Sequence, residues 1–177
     1  MDYIDEKCSP SEYESHKMFI VPAIIEKAIN ELHGLVKGIN LDGEISAAEI
    51  EELLHWCSLY AEFKDRAPFC ELFPIIASAL EDRILSPEEI SDIIWMCDSL
   101  KPTSCKYTLI SAKMQEFIGL IHGLLADSEL TDKEIFALDD WISDNSELKT
   151  CYPFDEIEAL LTTVLSDRKS TRLNSSH

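Results

Sequence analysis

Apolar residues recur at intervals of three and four along almost the whole chain, and the alternation typical of strands is absent. Because this period places apolar side chains on one helix face, the pattern predicts an all-α fold. The predicted helices run from about Pro22 to Leu41, from Ala47 to about Tyr60, from Pro68 to about Leu80, from Pro87 to Pro102, from Tyr107 to Ala126, from Asp132 to Ser143 and from Pro153 to Leu165. Pro22 suits a first helical turn, and Pro74 predicts a kink or a broken first turn.

The sequence also contains an internal repeat. A shift of 85 positions aligns Leu32–Asp82 with Phe117–Asp167 without a gap. The matched positions include glycines, tryptophans and loop acids, which shared composition does not produce. The pairs are Gly34 with Gly119, Gly38 with Gly123, Asp42 with Asp127, Glu44 with Glu129, Glu49 with Glu134, Ile50 with Ile135, Leu53 with Leu138, Trp56 with Trp141, Pro68 with Pro153, Phe69 with Phe154, Glu71 with Glu156, Leu80 with Leu165 and Asp82 with Asp167. The sequence therefore predicts a polar N-terminal arm or a short extra helix at residues 1–16, a first helical repeat at 17–101 and a second, truncated repeat at 102–166.

A shorter motif, D-x-x-[IL]-[ST]-x-x-E-I, occurs at residues 42–50, 82–90 and 127–135. Each copy lies between two predicted helices, so the repeated unit is an αα-hairpin with an acidic corner. The Ser or Thr can cap the amides of the next helix, and the Glu three residues later can bond back to the cap's own amide. Loss of such a cap costs about 1 kcal/mol.

The same corners carry carboxylates of the kind that calcium and magnesium bind. The candidate metal ligands are Asp42, Glu44, Glu49, Asp127, Glu129 and Glu134. Their spacing is not that of an EF-hand, which needs about twelve residues from its first Asp to its last Glu. Two interpretations stay open: corners that only start helices, and corners that also bind a divalent cation, calcium or magnesium, as a cofactor.

Two glycine pairs, Gly34-x-x-x-Gly38 and Gly119-x-x-x-Gly123, lie inside predicted helices. Each pair lowers helix propensity by about 2 kcal/mol, so some other interaction must offset it. Close approach of a crossing helix and access of a ligand to the bared backbone are the two interpretations.

The C-terminal segment Asp167–His177 reads D-R-K-S-T-R-L-N-S-S-H, which is the codon-by-codon translation of a common sequencing adapter. We interpret residues 167–177 as an artefact and expect the natural chain to continue beyond Ser166 into a matching eighth helix. The chain has 15 basic and 34 acidic residues, a net charge of −19; without this segment's three basic residues and one Asp, 12 and 33 remain, a net charge of −21. Such a charge repels nucleic-acid phosphates and membrane surfaces, and it favours a protein partner with a basic surface.

The chain shows few signs of secretion or catalysis. Its six cysteines form no C-x-x-C pair, its acidic start lacks the basic region of a signal peptide, and no apolar run could span a membrane, so we expect a cytoplasmic protein with reduced thiols. Several residues are interpreted as core: Trp56, Trp95, Trp141, His33, His55 and His122. Phosphate-binding loops, nucleophile elbows and H-E-x-x-H motifs are absent, and we expect that the protein is not an enzyme.

The second repeat resembles a known bacterial segment. Its stretch F-I-G-L-I-H-G-L-L-A-D-S-E-L at Phe117–Leu130, then L-D-D-W-I-S-D-N at Leu138–Asn145, then Pro153, is similar to the helical region that precedes a C-terminal BRCT domain in bacterial and phage BRCT-containing proteins. That region shows G-L-x-x-G-x-x-A-D-G, D-W-L and W-P, whereas here Ser128 replaces the loop glycine and Tyr152 the tryptophan.

More distantly, the A-D-G-E-[IL]-[ST]-x-x-E pattern resembles TerB-like tellurite-resistance domains, which are all-helical with acidic loops. This resemblance implies a TerB-like helical bundle of duplicated αα-hairpin repeats, with divalent-metal binding at the six candidate ligands.

Three functions follow as expectations. The first is a non-enzymatic acidic interaction or adaptor module within a larger BRCT-type protein linked to DNA transactions, with no direct nucleic-acid or membrane binding by this segment. The second is a TerB-like metal-binding module of a stress response. The third is an acidic inhibitor that imitates nucleic acid toward a host defence protein.

Overall fold

The computed structural model describes the backbone of residues 10–41, 43, 45–100 and 108–174, and the side chains of these residues from 21 to 168. Within these ranges all regular structure is helical, which confirms the all-α class. The helices are α1 (Pro10–Ile39), α2 (Ala47–Leu59), α3 (Phe69–Ala79), α4 (Pro87–Leu100), α5 (Leu109–Leu124), α6 (Asp132–Asp144) and α7 (Phe154–Asn174), with short 3-10 helices at Ala61–Phe63 and Ser146–Leu148.

Helix α1 begins at Pro10, twelve residues before the predicted start at Pro22, so that prediction was wrong. Pro22 lies inside the helix, where proline costs about 3 kcal/mol. Val21, Ile24 and Ile25 pack against the first hydrophobic core on either side of it, and this burial offsets the cost. Pro74 likewise lies within α3, which runs from Phe69 to Ala79 as a single helix.

The helix bounds recur at the interval seen in the sequence. Helices α2 and α6 cover Ala47–Leu59 and Asp132–Asp144, and both the starts and the ends are 85 residues apart. The 3-10 helices, the ends of α1 and α5, and the starts of α3 and α7 keep the same interval. Two bounds depart from this interval: the start of α1, at Pro10, and the end of α7, at Asn174 instead of the predicted Leu165.

Two hydrophobic cores form, one in each half of the chain. The first is built by α1 to α4 and the second by α5 to α7. Phe69 and Phe154 are fully buried at matching positions, with their ring centroids 6.1 Å from Trp56 and 6.4 Å from Trp141. The most extensive contact between elements is that of α1 with α5, which joins the two cores.

Three of the residues interpreted as core are exposed in the structure, so these interpretations were wrong. Trp95 is 66% exposed, on the side of α4 away from the buried Ile93 and Cys97. His55 and His122 are also exposed, whereas His33 is buried. Of the helices that the structure describes, none is long and apolar enough to cross a membrane.

Candidate functional site

The three acidic corners turn through the same backbone conformation. Gly43, Arg83 and Ser128 occupy one motif position and have φ values of 77°, 58° and 64°. This left-handed region costs a residue with a Cβ roughly 1–2 kcal/mol. Its recurrence at Arg83 and Ser128 shows that the corner itself requires it.

The predicted capping boxes are present at these corners. Ser46 Oγ accepts a hydrogen bond from the amide of Glu49 at 3.2 Å, and Glu49 Oε2 accepts one from the amide of Ser46 at 2.6 Å. Thr131 and Glu134 form the same two bonds, at 3.2 and 2.6 Å. The motif therefore starts α2 and α6 as the sequence predicts.

Ser86 and Glu89 form a third box at the start of α4. The amide of Ser86 donates to Glu89 Oε2 at 2.9 Å, and the amide of Glu89 donates to Ser86 Oγ at 3.2 Å. Hydrogen bonds from the backbone and side chain of Ser86 hold the pKa of Glu89 below its usual value. The ionised carboxylate also suits the positive end of the helix dipole.

The structure describes four of the six predicted metal ligands: Glu49, Asp127, Glu129 and Glu134. Asp42 and Glu44 lie outside the described residues. Glu49 and Glu134 serve their capping boxes, and Asp127 Oδ1 accepts from the amide of Glu129 at 2.9 Å. Among the described residues, no group of three or more His, Cys, Asp or Glu side chains could hold a metal ion. Cation binding at the corners stays a prediction.

The glycine pairs lie where α1 and α5 cross. A Cβ on Gly34 would lie 1.8 Å from the backbone oxygen of Glu116, and one on Gly119 would lie 2.0 Å from that of Glu31. A Cβ on Gly38 would lie 2.3 Å from the backbone oxygen of Leu120. Because these atoms belong to the opposite backbone, only glycine allows the two helices to approach this closely. The crossing-helix interpretation is therefore confirmed.

The crossing relates the two halves of the chain. Contacts advance together along both helices, from Gly34 beside Glu116 to Gly38 beside Leu120, so α1 and α5 run parallel. Gly34 touches Glu116. Gly119, which lies 85 positions after Gly34, touches Glu31, which lies 85 positions before Glu116. Each half therefore presents the same surface to the other, as in an isologous interface.

An ion cluster that the sequence did not predict flanks this crossing. Glu116 Oε1 lies 2.7 Å from Lys37 Nζ and 3.4 Å from Nδ1 of the buried His33. His33 Nε2 also lies 3.4 Å from Asp98 Oδ1 on α4. Burial raises the pKa of Glu116, but hydrogen bonds from His33 and Lys37 outweigh it and lower this pKa to about 2.

The matching place on the other side of the crossing holds a cavity of about 200 Å³ instead. Glu31 stands there in place of Glu116, and it accepts a hydrogen bond of 2.6 Å from Tyr60 Oη. His122 and Ile118 replace Lys37 and His33, and His122 Nδ1 lies 3.5 Å from Glu52 Oε1. The two flanks of the crossing thus differ in chemistry although the backbone pattern is shared.

Several apolar side chains of α5 and α7 are exposed in the second half. We call four of them the α5–α7 face: Ile110, Ile118, Leu160 and Val164. These side chains are 45%, 36%, 66% and 39% exposed. Their partners 85 positions earlier are Ile25, His33, Ile75 and Ala79, all of which are buried or half-buried. The sequence analysis did not single out these four residues.

None of the protein-family models, curated proteins or solved structures compared with this chain matches it.

Proposed function

We propose that this chain is a non-enzymatic, acidic helical interaction module, built from a duplicated αα-hairpin unit in a TerB-like bundle. The observation that carries the proposal is the net charge of −19 on a chain whose described helices form two packed cores, with the exposed apolar side chains of the α5–α7 face as candidate contacts. Helix bounds that recur every 85 residues, with matching contacts at the α1–α5 crossing, support the duplication.

The four exposed apolar side chains of this face are candidate contacts for a partner, because large exposed apolar patches mark interaction sites. Phe117 of α5 and Phe154 of α7 pack with ring centroids 5.0 Å apart, so the two helices that carry the face share one core.

The charge of the chain sets the kind of partner. A net charge of −19 attracts a basic protein surface and repels phosphate backbones. We propose a protein partner with basic residues around an apolar contact, in the cytoplasm.

The resemblance to the segment before BRCT domains supports a place within a larger BRCT-type protein that acts in DNA transactions. The gene sequence beyond Ser166 tests this part of the proposal. A BRCT-like reading frame is the expected result, and an immediate stop codon would contradict it.

Differential capture tests the interaction function itself. The wild-type chain, Leu160→Glu and Ile84→Glu are immobilised and exposed to the same cell extract. Ile84 is the matched control because it is 67% exposed, close to the 66% of Leu160, but lies at the corner between α3 and α4. We expect a protein that is captured by the wild type and by Ile84→Glu and lost with Leu160→Glu. Equal capture by all three chains would contradict the proposal.

A further inference from the structure

The cavity of about 200 Å³ beside the crossing is enclosed by α1, α2 and α5. Its lining residues lie between positions 27 and 122, and none of them belongs to α7 or to the segment after Ser166. An apolar cavity of about 150 Å³ holds a molecule the size of benzene, so this one can hold a molecule of about six to eight non-hydrogen atoms.

Two glutamates give the cavity a negatively charged wall. The side chains of Glu31 and Glu52 are only 18% and 29% exposed, so both carboxylates have lost much of their contact with water. Tyr60 Oη holds Glu31 Oε2 at 2.6 Å, which fixes this carboxylate in place. Groups of this kind gain from a cation that enters the cavity, and the net charge of −19 attracts cations to the chain.

The chain supplies only weak cations to this wall. Lys27 Nζ lies 3.3 Å from Glu31 Oε1, but this pair is formed within one helix and the Lys27 side chain is 49% exposed. Such surface pairs contribute little, so an entering ammonium group can take the place of Lys27. His122 Nδ1 lies 3.5 Å from Glu52 Oε1, and its side chain is 63% exposed.

The other flank of the crossing shows which chemical group fits beside such a carboxylate. There Glu116 occupies the position that corresponds to Glu31, and Lys37 Nζ lies 2.7 Å from its Oε1. His122 stands where that flank has Lys37, so the ammonium group that fills the first flank is replaced by a cavity in the second.

A hydrogen-bond donor in the cavity wall adds a second requirement. Trp56 lines the cavity and is 4% exposed, and its Nε1 is buried without a hydrogen-bond partner among the described residues. Buried polar groups of folded proteins almost always have a partner. An acceptor atom on a bound molecule would satisfy this donor.

We propose that this cavity binds a small organic ammonium compound that also carries a hydrogen-bond acceptor, as amino alcohols do. The ammonium group lies against Glu31 and Glu52, close to the aromatic ring of Tyr60, which adds a cation–π attraction. The hydroxyl oxygen accepts from Trp56 Nε1. The inference goes beyond the proposed function and does not depend on it.

Nuclear magnetic resonance of the ¹⁵N-labelled full chain tests the inference at the level of single side chains. The three tryptophans, Trp56, Trp95 and Trp141, each give one indole N–H signal. The chain is titrated at pH 7 with 4-amino-1-butanol, and sodium chloride keeps the ionic strength constant. We expect a saturable shift of the Trp56 signal, whereas the signal of the exposed Trp95 stays in place.

Two compounds of the same size separate the two requirements. In pentylamine a methyl group replaces the hydroxyl, and we expect binding at least threefold weaker. In 1,4-butanediol a hydroxyl replaces the ammonium group, and we expect binding at least tenfold weaker. Equal binding of either compound would overturn the inference, because the carboxylates or the Trp56 donor would then have no role.

Variants test the negatively charged wall. Glu31→Gln and Glu52→Gln should each weaken the binding of 4-amino-1-butanol at least tenfold, whereas Glu62→Gln, an exposed control on the 3-10 helix Ala61–Phe63, should leave it unchanged. Signals that are dispersed as in the wild type show that each variant is folded. Unchanged binding in both cavity variants, or a Trp56 signal that does not move in the wild type at high millimolar concentration, would overturn the inference.

Discussion

Replacing Gly34 by alanine tests the packing that joins the two halves. In a helix free of contacts, this change would stabilise the chain by about 1 kcal/mol, because alanine has the higher helix propensity. Here the new Cβ would lie 1.8 Å from the backbone oxygen of Glu116, whereas ordinary contact begins at 3.4 Å. The two helices must therefore separate by about 1.6 Å, since neither backbone can move aside alone.

The cost follows from the side chains that fill the crossing. Leu35, Ile39 and Leu120, whose backbone atoms lie at the crossing, are at most 3% exposed, and burial of each side chain contributes roughly 1.5–3 kcal/mol. A gap of 0.5–1 Å already removes about a quarter to a half of the dispersion energy of a contact. Losing half of the packing around two such side chains costs about 1.5–3 kcal/mol, so the net destabilisation after the gain in propensity is about 0.5–2 kcal/mol. For a chain of this length this lowers the melting temperature by about 1–8 °C.

Circular dichroism at 222 nm during heating and in urea measures the effect. Thr162→Ala, on the exposed side of α7, is the control and should change stability by no more than about 0.5 kcal/mol. The double variant Gly34→Ala/Gly119→Ala should lose less than the sum of the single losses, because the first substitution has already parted the same helices. A Gly34→Ala chain that melts at or above the wild-type temperature would refute the close crossing.

Three further predictions concern the corners and the ion cluster. Thr131→Ala should lower the free energy of unfolding by about 1 kcal/mol through loss of the cap on α6, and a loss near zero in urea denaturation would contradict the assigned role of this residue. Because the pKa of Glu116 falls from 4.5 to about 2 on folding, its contribution of about 3 kcal/mol is complete above pH 4.5 and is lost as the pH falls towards 2. Urea midpoints measured from pH 5 to pH 2 should therefore decline more steeply in the wild type than in Glu116→Gln, and parallel curves would contradict this assignment. Calorimetric titration with calcium, magnesium and manganese at millimolar concentration should give no heat if the corner glutamates serve only as caps; saturable binding lost in Glu134→Gln would favour the metal-binding alternative instead.

Features of the chain that depend on local sequence were predictable. The capping residues of α2, α4 and α6 follow from the identity and spacing of neighbours three positions apart. The paired glycines predicted a close crossing, and the structure adds that the crossing helix is the other copy of the same helix. When an interface element is duplicated within one chain, its two copies can pair with each other as in a symmetric dimer.

Features that depend on contacts distant along the chain were not predictable. The Glu116 cluster joins residues 79 positions apart along the chain, so it requires the register of α1 against α5. Trp95 carries a core-type side chain but lies on the outer side of α4, and only the position of α1 and α3 decides which side is buried. Pro22 misled the prediction of the start of α1 because packing of the neighbouring apolar residues outweighs the local penalty.

Hydrogen–deuterium exchange of the wild-type chain and of Gly34→Ala tests the central claim that two copies of one unit meet at the close crossing of α1 and α5. We predict faster exchange of the amides of α1 and α5 in Gly34→Ala, since helices that are forced apart open locally more often, and unchanged exchange at the start of α6. Equal exchange of the two chains in α1 and α5 would contradict the account.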